Sequence, residues 1–202
     1  MRPLFAFLIP SVLLSGCLSS DALAGGPSAP HPTQFREYSH DGRRFVSLEP
    51  VDVGQIPTLQ GHVSLCVGAL YVGTTEGPGG EHTLALVLRS HNTDGDAILT
   101  GGSDLLLEVD GTYVASSPQP GGHVYEVERD EHGVTETVMV PLDPAMMAQL
   151  ADADVVRGRL GPWFSFVLPR THRAALTGIL ARIPSDVRYH SAPTAASFAA
   201  SD

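Results

Sequence analysis

Asn92, Asp94 and Asp96 place three oxygen-bearing side chains at every second residue, the spacing with which a calcium loop begins. A hard cation is therefore the first chemistry to weigh. The pattern then stops short: Ala97 stands where such a loop needs glycine, and no Glu follows at the distance of its closing ligand. An Asx-rich turn between two strands explains the same three residues equally well. A second candidate is cationic. Arg157 and Arg159 sit two apart on an expected strand and so project to one side. With Arg170 and Arg173 close by in sequence, they form a candidate basic patch for a phosphate or an acidic partner. The alternative is pairing inside the domain, with Glu126, Glu128 or Asp130 on another strand. The nine histidines are scattered, and Glu81-His82 and Glu131-His132 lack the second histidine of a zinc helix. No Gly-x-Ser-x-Gly elbow occurs. Gly77-Pro78-Gly79-Gly80 and Gly101-Gly102 lack the lysine and helix of a phosphate loop. No enzyme reading and no cofactor follows from these residues.

Cys17 is the remaining reactive group. It follows Arg2, an apolar run from Leu4 to Leu14, and the small residues Ser15 and Gly16, which is the build of a secretory signal. A helical run of 11 residues reaches roughly 16 Å, far short of a ~30 Å hydrocarbon core. Leu14-Ser15-Gly16-Cys17 resembles the lipobox of bacterial lipoproteins. That resemblance implies cleavage before Cys17, lipid on its thiol and new N-terminus, and a membrane-anchored, periplasm-facing protein. Several acyl chains on one cysteine hold a protein stably on a bilayer. In this class an aspartate after the cysteine implies inner-membrane retention; Leu18 stands there, which favours the outer membrane. The only other cysteine, Cys66, lies in the apolar run Val63 to Leu70. It is expected to be an unpaired, buried, inert thiol.

Charge is unevenly spread. The net charge is −10, and every basic residue is arginine. Asp21 to Asp154 holds 20 acids against 5 arginines, whereas Val155 to Arg188 holds 6 arginines and the single acid Asp186. The overall acidity argues against a nucleic-acid partner. The C-terminal third is the segment suited to an anionic one.

These residues need a scaffold. Residues 1–16 read as the signal and 17–42 as a lipidated tether, rich in Gly, Ser and Pro. Such a tether reaches roughly 25–30 Å by random-coil scaling. Residues 43–188 read as one β-rich domain and 189–202 as a flexible tail. His62 to Val72 and Thr83 to Arg89 have the Val- and Leu-rich runs of central strands. Hairpins are expected around Asp110-Gly111, Asp130 to Gly133, and Gly161-Pro162. Alternation sets Val134, Glu136, Val138 and Val140 on one side, and Glu136 spoils that apolar face. Asp143-Pro144 predicts a helix start, with Met146, Met147 and Leu150 on one face. A second helix is expected from Arg170 to Ile183, with Leu176, Ile179, Leu180 and Ile183 as its stripe and Arg173 and Arg182 off it.

The expected architecture is mainly β: an antiparallel β-sandwich with one or two short helices, with two-layer α+β as the alternative. The expected role is a membrane-anchored envelope lipoprotein acting as a non-catalytic interaction or structural module for an envelope protein. An exposed Trp163 or Phe164 would favour it. A small-ligand or lipid binder is the alternative, and an enzyme comes last.

Overall fold

The computed structural model describes residues 35–58, 61–74, 82–99, 105–116, 124–162 and 164–184. Ten strands and two helices follow in the order β1 (Phe35–His40), β2 (Arg43–Pro57), β3 (His62–Thr74), β4 (His82–Asn92), β5 (Leu105–Val109), β6 (Thr112–Ser116), β7 (Val124–Asp130), β8 (Gly133–Pro141), α1 (Pro144–Asp152), β9 (Val156–Leu160), β10 (Phe164–Val167) and α2 (Arg170–Leu180). One sheet runs β1-β2-β3-β4-β8-β7 and the other β10-β9-β5-β6, each antiparallel throughout. The sandwich with two short helices is thus the observed architecture.

Turn chemistry sets the hairpins. Asp110 and Gly111 take φ of 48° and 84°, both positive, as a two-residue turn between right-twisted strands requires. Asp41-Gly42 repeats this with φ of 48° and 68° and joins β1 to β2. Phe35–His40 was expected to be tether, and the structure corrects that reading. The strand is fixed by its register with β2, by the Tyr38 ring stacked on Phe45 at 4.8 Å, and by Phe35 under the Arg182 guanidinium at 4.2 Å. The ordered domain therefore reaches back at least to Phe35. Leu14, Ser15, Gly16 and Cys17, the rest of the tether, Trp163 and the 189–202 tail lie outside the described residues.

The core joins both sheets and both helices. Leu48, Val67, Leu88 and Val138 face it from the large sheet, Leu107, Leu160 and Phe166 from the small one, and Leu150, Leu176 and Ile179 from the helices. Burying each such side chain contributes about 1.5–3 kcal/mol. In α1 the Asp143 carboxylate accepts the Met146 N–H at 2.7 Å, with Pro144 opening the helix, as the sequence indicates. In α2 the helix closes at Leu180, earlier than Ile183, and a tighter turn follows (Arg182 N–H to the Ile179 carbonyl, 2.9 Å).

Glu136 does not spoil the face it shares with Val138. It is 0 % exposed, and its carboxylate accepts the Ile98 and Leu99 backbone N–H groups at 2.7 and 2.9 Å and the Ser90 hydroxyl at 3.2 Å. A buried carboxylate supplied with charge-assisted donors is tolerated where a bare one would not be.

Candidate functional site

The outer face of the small sheet carries the site. Pairing registers set Val167, Arg157, Glu108 and Tyr113 in one row across β10, β9, β5 and β6. Ser165, Arg159 and Leu106 form the next row. Along β9 the residues alternate buried and exposed, so Gly158 points to the core while Arg157 and Arg159 stand out together. The period-two expectation for this pair holds.

Together these rows line a groove of about 580 Å³. Val53 closes one side of it. The β2–β3 register jumps from Asp52 opposite Cys66 to Gly54 opposite Leu65, leaving Val53 as the extra residue of a bulge. The Asp52 carboxylate holds that bulge by accepting the Gly54 N–H at 3.0 Å. Such bulges re-aim a side chain that plain alternation would place elsewhere. Tyr113, 74 % exposed, and Val167, 55 % exposed, are the large hydrophobics most open to solvent among the described residues.

The two arginines differ in their engagements. Arg157 donates to the Glu108 carboxylate at 2.9 Å. At this exposure the pair contributes at most ~1 kcal/mol to stability, but it fixes one guanidinium. Arg159 has no hydrogen-bond or ion-pair partner among the described residues, and its register neighbours Leu106 and Ser165 carry no charge. The arrangement can take an anion at Arg159 and apolar groups at Tyr113 and Val167.

Arg170 and Arg173 do not join this patch. Arg170 is exposed but outside the groove. Arg173 is only 7 % exposed, and its Nε donates to the Leu168 carbonyl at 3.3 Å. The helix stripe therefore includes a position that sequence spacing set off it, because the first turn of α2 is tucked in along with the buried His172.

The acids proposed as internal partners also sit elsewhere. Glu126 and Glu128 lie in the other sheet, where their charges act on Arg89. Burial lowers the Arg89 pKa, and the two carboxylates oppose that shift. Asp130 instead closes its own turn by accepting the His132 N–H at 2.8 Å. Glu108 and Tyr113 were missed from sequence. Only the adjacency of β5 to β9 and β6 selects them.

Asn92, Asp94 and Asp96 form a turn. The Asn92 amide is used at both ends: its Oδ1 accepts the Asp94 N–H at 2.9 Å and its Nδ2 donates to the Asp96 carbonyl at 2.7 Å. Among the described residues no group of three or more His, Cys, Asp or Glu is placed to hold a metal ion.

Phe164 is 3 % exposed, so it serves the core and offers nothing to a partner. Cys66 is buried as expected, at 1 % exposure, but it is disulfide-bonded and not a free thiol. The chain's one other cysteine is Cys17. No family model, no curated protein and no solved structure matches this chain.

Proposed function

We propose that the chain is a lipid-anchored envelope protein, a non-catalytic interaction module that engages an envelope protein through the outer face of its small sheet. The anchor reading rests on Leu14-Ser15-Gly16-Cys17, with Leu18 favouring the outer membrane. Among the described residues no helix is long and apolar enough to cross a membrane. The observation that carries the interaction reading is Arg159, without a partner among the described residues, one row from the line that joins the exposed Tyr113 and Val167. Arginine and tyrosine at the centre of a surface patch are the residue types that dominate interface energetics.

Photocrosslinking of the full-length protein in cells, from photoreactive residues at several exposed positions, tests this reading. One dominant envelope protein should be captured, and the adduct should disappear when Cys17→Ser removes the anchor. No protein adduct, with a small molecule or lipid co-purifying instead, would transfer the role to ligand binding.

A further inference from the structure

Resting on that reading, we propose that the groove takes an extended acidic segment of the partner protein, with one of its carboxylates paired to Arg159. The groove's dimensions fit such a segment. Val167 and Tyr113 are separated by three inter-strand steps, about 14 Å at ~4.8 Å per step. Roughly four extended residues at ~3.3 Å each cover that distance. Crossing the strands, the segment rests an apolar side chain against Val167 and another against Tyr113. Val53 limits one side, and Arg159 lies one row off the line.

Charge selects the partner. Arg157 is already held by Glu108, so among the described residues the groove offers one unpaired guanidinium, flanked by uncharged Leu106 and Ser165. A single carboxylate satisfies it with two parallel N–H···O bonds. An anionic lipid surface asks for more: recognition there takes clusters of four to eight basic residues. A protein carboxylate delivered into the groove meets the guanidinium that has no acid beside it among the described residues.

The test places photoreactive benzoylphenylalanine at Tyr113 in one full-length protein and at the exposed His132, at the β7–β8 turn, in another. From position 113 the proposal expects a protein adduct whose attached peptide carries Asp or Glu beside the crosslinked residue. Arg159→Glu should abolish that adduct, and Arg159→Gln should reduce its yield about tenfold. Changing the partner's acid to Arg should restore the adduct to Arg159→Glu. An adduct that persists in Arg159→Glu, a partner peptide without acids, or a lipid adduct alone would overturn the proposal. An adduct from position 132 with none from 113 would remove this site and leave the interaction reading standing. Adducts from neither position would remove both. Arg159 is exposed and has no partner among the described residues, so its variants should keep the wild-type thermal midpoint, which separates lost binding from lost folding.

Discussion

The Glu136 carboxylate accepts the Leu99 backbone N–H at 2.9 Å across 37 residues of sequence. Ile98 and Ser90 supply its other oxygen. The segment after β4 is thereby pinned to β8 by a fully buried carboxyl group. Glu136→Gln keeps the size but turns an acceptor into a donor that faces donors. It should cost on the order of 3 kcal/mol. Urea unfolding measures the loss. Amide exchange at Ile98 and Leu99 should rise with it, and an unchanged urea midpoint would show that the clamp carries no stability.

His172 gives the domain an acid sensitivity. It is 2 % exposed with no hydrogen-bond partner for Nε2, and burial lowers its pKa from 6.5 to about 4. The unfolded chain takes up this proton near pH 6.5 while the folded one resists it until pH 4. The contribution of His172 is therefore fully present above pH 6.5 and is lost as pH falls through that window, by about 3 kcal/mol at most. Urea midpoints at pH 7, 5.5 and 4 should fall more steeply for the wild type than for His172→Leu. Parallel curves would contradict the assignment.

Gly158 leaves room for a ring. A Cβ there would run into the Phe166 side chain from the neighbouring strand. Gly158→Ala should destabilise by about 1–3 kcal/mol through overpacking and should weaken crosslinking from position 113, since both residues line the groove. Thermal unfolding beside Arg159→Gln makes the comparison: the glycine variant loses stability, the arginine variant loses binding alone.

What the sequence reveals follows the range of each interaction. The Asp110-Gly111 hairpin, the Asp143 cap and the pairing of Arg157 with Arg159 on one side depend on neighbours within a few residues, and all three are present. The same Asp-Gly signal at 41–42 marked β1, but the Pro- and Gly-rich composition before it pointed to a tether. Glu136 was visible as a misfit in an apolar pattern. Its partners are backbone N–H groups far along the chain, and those leave no mark in a sequence. Glu108 was not chosen over Glu126 and Glu128 for a related reason: sheet membership decides which acid meets Arg157, and alternation along one strand is silent about it.

Lipid on Cys17 is what ties the proposed role to a membrane. The intact mass of the protein purified from the membranes of the cells that make it tests this directly. The expected result is a chain beginning at Cys17, heavier than its peptide mass by the acyl groups. An unlipidated chain that keeps residues 1–16 would contradict the lipid anchor on which the proposed role depends.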